Sequence, residues 1–311
     1  MENFRTLMPW FRLVRLPNLL TAPGDPVAGY LLAAAAASAL HPKPALLFAA
    51  AGASLCLYIF GVIFNDLVDI ETDRCERPDR PLPAGEITVP QARMAAIAMA
   101  LSGLNLALSA GRTSLNVAAA LAGLIVFYNA FLKRVPVAGV VAMGLCRGLS
   151  LLFGATAACP DVLQNFGMPV APVWIAALGL TLYVACFSAV AKREMDEQKP
   201  EGVTRWLPFV ALMGSLPALL VALTLLKRLD ALMPTVFVFL MLMTLMRAWL
   251  LGGLMYRLQP VPATVGGHIR NLLMVQACLC AAAGMQGLLP ALLFVLLSFV
   301  FPRLTTRFYS S

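Results

Sequence analysis

The chain has 311 residues, of which 60% are hydrophobic and only 12% are charged, with a formal net charge of +8. That charged share is about half the share found in an ordinary soluble domain, too little polar sequence to cover a surface facing water. A β-barrel is excluded as well, because the apolar runs are continuous and do not alternate at period two. What remains is an all-α, polytopic membrane helix bundle.

A bilayer core about 30 Å thick needs roughly 20 apolar residues per helix. Such windows predict nine transmembrane helices, over 16–38, 44–65, 91–110, 114–132, 137–158, 171–191, 206–226, 232–255 and 268–287. A further run at 288–302 is short, and reads as a tenth span or a half-buried hairpin arm. Residues 1–311 form one transmembrane unit on this reading. The first span follows a polar and aromatic stretch, FRTLMPWFRLVRLPN, with no small-residue cleavage site, so it is not a signal peptide. Pro23, Gly24 and Pro26 surround Asp25 and predict a kink in that helix.

Basic residues orient the bundle. With the N terminus in the cytoplasm, cytoplasmic segments hold fifteen Lys and Arg residues, and the opposite side holds four. The placement this implies is a multi-pass protein of a bacterial inner membrane, its charged loops cytoplasmic. The positive excess then faces anionic membrane lipids, and no nucleic-acid partner is needed to explain it. Eleven of fifteen acidic residues crowd into two of those loops, 66–86 and 194–201, after the second and sixth spans.

The first loop reads NDLVDIETDRCERPDRPLPAG from Asn65 to Gly85. Asp66, Asp69 and Asp73 are spaced i, i+3, i+7, which places them within a sector of roughly 60° on a helix. Three carboxylates on one face repel unless a cation neutralises them, and oxygen-only ligands favour Mg²⁺ or Ca²⁺ over Zn²⁺. Asn65 adds an amide oxygen, and Arg77 and Arg80 follow with guanidinium forks suited to phosphate. A Mg²⁺–diphosphate site at the membrane surface fits this pattern. A solvated loop with local salt bridges fits the same spacing.

The run Asn65-Asp66-x-x-Asp69-x-x-x-Asp73, followed by Arg77-Pro-x-Arg80-Pro-Leu-Pro-x-Gly85, resembles the first aspartate-rich motif of the UbiA superfamily of membrane prenyltransferases. Tyr128-Asn-x-x-x-Lys133-Arg134-x-Pro136 is similar to that family's short basic loop after the fourth span. The resemblance implies a helical bundle around a central cavity that opens laterally to the membrane. It implies transfer of an isoprenyl group from a prenyl diphosphate donor to a lipophilic acceptor, with Mg²⁺ as cofactor. Asp66, Asp69, Asp73 and Lys133 are then the catalytic set, and Asn65, Arg77, Arg80, Tyr128, Lys133, Arg134 and Arg147 the diphosphate contacts.

One departure stands out. Where the family carries a second aspartate motif, this chain reads AVAKREMDEQKPEG. A second metal would fall to Glu194 with Asp196 or Glu197, or Lys192 and Arg193 would supply cations in its place. The degenerate motif also resembles UbiA-like proteins of Ebo-type gene clusters, and leaves open an isoprenoid-binding or carrier protein without transferase activity. A transporter is a third reading, weakened because the acids cluster at one membrane face and not at the midplane.

Two arginines lie within spans, Arg147 and Arg247. A charge there costs about 2.5–3.5 kcal/mol on insertion scales and points to function. Arg147 reads as a diphosphate or acceptor contact, or else as the partner of a buried acid. Arg247, nearer a helix end, reads as snorkelling. His41 and His268 read as interfacial residues near span ends. Seven cysteines without a CxxC pair indicate neither zinc nor disulfides.

Overall fold

The computed structural model describes residues 2–37, 43–192, 202–228, 232–253 and 261–309. These form helices and turns, with no strand among the described residues. In chain order the α-helices are α1 (Glu2–Leu13), α2 (Leu16–Leu19), α3 (Gly24–Ala36), α4 (Pro44–Val68), α5 (Ile70–Glu76), α6 (Val89–Ala110) and α7 (Arg112–Ala130). They continue as α8 (Pro136–Ala158), α9 (Ala171–Lys192), α10 (Leu207–Leu225), α11 (Met233–Gly252), α12 (Val261–Ala281) and α13 (Leu288–Tyr309).

Among the described residues, seven helices are long and apolar enough to cross a membrane: α4 and α6 to α11, with α9 and α10 lengthened by short turns. Two more sit inside the bundle. α3 has only 13 residues and is buried over most of its length. α12 has 21 residues, interrupted by His268, Arg270, Asn271 and Gln276, and is buried from Asn271 to Ala281. The protein is therefore a multi-pass membrane helix bundle, and its helices match the nine predicted spans one for one. The tenth run forms α13, which packs on α12.

The first predicted span is broken. α2 ends at Leu19, turns occupy 20–23, and α3 starts at Gly24, where the prolines and glycine predict the kink. The interruption exposes backbone carbonyls inside the bundle, a device tolerated in membranes only where side chains satisfy them.

α8 is the central strut, packed on α3, α7 and α9, while α4 packs on α6 and α11 on α12. Helices meet in lipid through small residues that let backbones approach. A Cβ on Gly29 of α3 would lie 1.9 Å from the Leu151 carbonyl oxygen of α8, and one on Gly154 would lie 2.0 Å from that of Pro26. Only glycine fits at either point. A second, smaller apolar cluster joins Leu13 of α1, Phe60 and Ile63 of α4, Leu82 and Ile87 of the acidic loop, and Ala92 and Ala96 of α6.

Candidate functional site

α4 stops after Val68. Asp69 takes φ −91° and ψ 4°, and α5 resumes at Ile70. The expectation that Asp66, Asp69 and Asp73 share one continuous helix face is therefore corrected, because the chain bends at the middle aspartate. The bend gives the carboxylates different partners. Asp66 and Asp73 are both buried and flank one guanidinium nitrogen, Arg80 Nη1, at 3.7 and 2.5 Å. Asp69 pairs with Lys133 of the basic turn. Asn65 Nδ2 donates to Asp66 Oδ1 at 3.3 Å, and Arg15 Nη2 donates to the same oxygen at 2.9 Å.

The loop after α5 holds Arg80 in place. Leu82 and Ile87 are sunk in the second apolar cluster, so the backbone on either side is anchored. Gly85 at φ +74° closes the turn in the left-handed region that favours glycine. Thr88 then starts α6 with a capping box. Its hydroxyl accepts from Gln91 N at 3.4 Å, and its own N–H donates to Gln91 Oε1 at 3.0 Å. α1 is strapped over the same loop by the Arg12–Glu86 pair and by Leu13 in the shared cluster.

Below this polar cap lies a cavity of about 320 Å³. Arg15, Asn18, Asn65, Tyr128 and Asn129 contribute polar groups to its wall, and Leu57, Ile125, Val184, Phe187 and Leu272 contribute apolar ones. Arg147 also lines it. Its Nε lies 2.9 Å from Asp25 Oδ2, and its Nη2 donates to the Thr21 carbonyl at 2.9 Å. Gln276 Nε2 donates to Asp25 Oδ1 at 2.6 Å and to Thr21 O at 2.7 Å. The expected diphosphate contact through Arg147 is thus replaced by pairing with a buried acid.

The remaining expected residues fall as follows. Arg77 and Arg134 are exposed, Arg134 beside Lys133 in the turn Leu132–Arg134. Lys192, at the end of α9, donates to the carbonyls of Val135 and Pro136 at 3.1 and 3.3 Å, so it braces the basic turn. Glu194, Asp196 and Glu197 lie outside the described residues. So does His41. His268 is not interfacial but buried, with Nδ1 3.2 Å from the Tyr183 hydroxyl. Arg247 reaches Ser298 Oγ at 3.5 Å within the bundle.

Sequence reasoning missed Arg15, Asp25 and Gln276. Asp25 carried a signal, because an acid inside a span needs a cation, and Arg147 was the nearest unassigned one. Arg15 and Gln276 carried none, being separated from their partners by 51 and 251 residues.

Among the described residues, no three His, Cys, Asp or Glu side chains converge as a ready metal cage. The donor set nevertheless suits Mg²⁺, which takes one or two carboxylates and completes its shell with water and substrate phosphates. Asp66 and Asp73, flanking a single cationic nitrogen, supply two such carboxylates.

A broken first helix, an acidic loop capped by cations and an amphipathic cavity beneath it define a membrane protein built to hold a polar head and an apolar tail. The model of the UbiA prenyltransferase family matches residues 27–259, and the chain belongs to that family. It is 34% identical over 160 residues to a digeranylgeranylglyceryl phosphate synthase of Methanoculleus marisnigri, covering 51% of this chain and 55% of that one. The corresponding synthase of Methanothrix thermoacetophila is 32% identical over 159 residues, covering 51% and 58%. The chain thus spans about half the length of the curated relatives it matches. Among solved structures, the fold is similar to a UbiA homologue of Aeropyrum pernix K1, with a TM-score of 0.65 at 19% identity, covering 83% of this chain and 96% of that one. It is also similar to a UbiA homologue of Archaeoglobus fulgidus bound to DMAPP and Mg²⁺, with a TM-score of 0.54 at 16% identity, covering 86% and 99%.

Proposed function

We propose that this chain transfers an isoprenyl group from a prenyl diphosphate to a lipophilic acceptor within the membrane, with Mg²⁺ as cofactor. The observation that carries the reading is the Asp66–Arg80–Asp73 cluster over the cavity. Asp66 and Asp73 would hold the metal, which supplies charge neutralisation for the diphosphate when bound. Arg80, Lys133 and Arg15 stand where they can transfer their hydrogen bonds from carboxylate to phosphate oxygens. Arg77, Arg134, Asn65 and Tyr128 extend that polar surface.

These donors act on charge that develops as the bond between C1 and the bridging oxygen breaks, its electron pair leaving with the diphosphate. The acceptor's nucleophilic atom then bonds to C1 and gives up its proton. The apolar walls hold the prenyl tail and keep out water, which would otherwise capture the same carbon. Asp69 positions Lys133 in this scheme, and Glu194 and Asp196 are the candidates for a second metal. The basic loops face the cytoplasm on the charge bias of the sequence. The relatives named above are archaeal, and they lend no support to a bacterial inner membrane.

Binding of a thiolo analogue of geranylgeranyl diphosphate to protein in nanodiscs tests the reading. Saturable binding that requires Mg²⁺ and weakens about tenfold or more in Asp66→Asn or Asp73→Asn is the expected result. Folded protein that binds no analogue at any Mg²⁺ concentration would sink it. Binding without diphosphate release when acceptors are screened would favour the carrier reading instead.

A further inference from the structure

The cluster around Arg147 sits deeper than a diphosphate can reach. Arg147 follows Pro136 by eleven residues on α8, roughly 16 Å along the axis from the turn where Lys133 meets Asp69. α4 measures the same depth independently. Ser150, one turn beyond Arg147, meets Ser54 at 2.9 Å, and Ser54 precedes Asp66 by twelve residues, roughly 18 Å. A diphosphate held between Asp66 and Asp73 ends well above this level.

The guanidinium is also fixed and neutralised. Asp25 is fully buried and bound by both Arg147 and Gln276, and the Thr21 carbonyl accepts from both as well. Two of the five guanidinium N–H groups are engaged in this way. The side chain keeps 14% exposure, and it lines the cavity. A second wall residue, Asn129, is 3% exposed. Its Nδ2 donates to the Ile125 carbonyl at 2.9 Å, while its Oδ1 has no partner. The cavity therefore offers spare donors on a net-neutral pair and one orphaned acceptor.

We propose that Arg147, held by Asp25 and Gln276, positions the acceptor and selects one with a neutral hydroxyl over one with a carboxylate. A hydroxyl oxygen accepts from the guanidinium, and its hydrogen suits an acceptor such as Asn129 Oδ1. A carboxylate would bring a charge into the bundle with no uncompensated cation to meet it, since Asp25 already cancels Arg147. The proposal rests on the transferase reading.

The test uses two water-soluble probes of the same tail, 4-propylphenol and 4-propylbenzoate, at pH 7.5. Each is titrated calorimetrically against protein in nanodiscs saturated with Mg²⁺ and the thiolo donor analogue, with empty nanodiscs as the blank. The wild type should bind the phenol about tenfold more tightly than the benzoate. Asp25→Asn, which frees the charge of Arg147, should reverse that order. Arg147→Met with Asp25→Asn, which removes both charges and so keeps a foldable core, should lose phenol binding while donor affinity stays unchanged. Equal or tighter benzoate binding by the wild type overturns the proposal, as does phenol binding that survives in the double variant. Absence of binding by either probe to donor-loaded protein overturns it too. A loss of donor affinity in the double variant would return Arg147 to the diphosphate. Failure of the donor analogue to bind wild type is a different result and sinks the transferase reading itself.

Discussion

Asp69 shows how a single residue can turn a motif into a site. On an unbroken helix it would stand between Asp66 and Asp73 on one face and crowd them. At the bend it pairs with Lys133, and Arg80 takes the position between the other two. Lys133→Ala should therefore lower turnover about tenfold or more, by removing a charged donor to the leaving diphosphate, and Lys133→Arg should restore part of it. A radiolabelled prenyl-transfer assay on both variants measures this; equal turnover in wild type and Lys133→Ala would remove Lys133 from the chemistry. Thr88 works at the same scale but by a different route. Its capping box fixes the start of α6 immediately after the arginine loop, so Thr88→Ala should cost about 1 kcal/mol of stability. Thermal unfolding in detergent reads that cost directly, and donor-analogue affinity should change little.

Elements are set by where backbones can touch. α3 is too short to span alone, yet it holds Asp25 against Arg147 because Gly29 and Gly154 bring it onto α8 without intervening side chains. Gly154→Val would place two γ-methyls where a Cβ alone already meets the Pro26 carbonyl. The expected loss is about 1–3 kcal/mol or more, seen as a lower unfolding temperature. Valine at Gly123 of α7, where a Cβ would meet nothing within 4 Å, is the control and should be tolerated. If both variants unfold together with wild type, the close approach of α3 to α8 is not what holds the first helix in place.

At the scale of the molecule, the charge bias and the structure can be set against each other in one measurement. Among the described residues, Cys75 is the exposed cysteine and lies in the acidic loop. In sealed right-side-out vesicles a membrane-impermeant maleimide should leave Cys75 unlabelled, and permeabilisation should expose it. Labelling before permeabilisation would place the site loops on the outer face and reverse the orientation read from the basic residues.

The spans and the acidic loop were legible because each depends on local composition: a run of about 20 apolar residues seeks lipid wherever it falls, and clustered carboxylates beside arginines carry their chemistry in the chain itself. The nine helices follow from the first, and Asn65, Asp66, Asp73, Arg80 and Lys133 at the mouth follow from the second. Two features stayed hidden because they are made by packing. The bend at Asp69 depends on Leu82 and Ile87 anchoring the following loop beside Leu13. The Arg147–Asp25–Gln276 cluster joins α8, α3 and α12, whose contributing residues are as much as 251 positions apart. A charge buried in a membrane requires a partner, and the sequence announced that requirement. Only the approach of α3 to α8 and α12, across glycine and through a broken helix, decided which partner meets it.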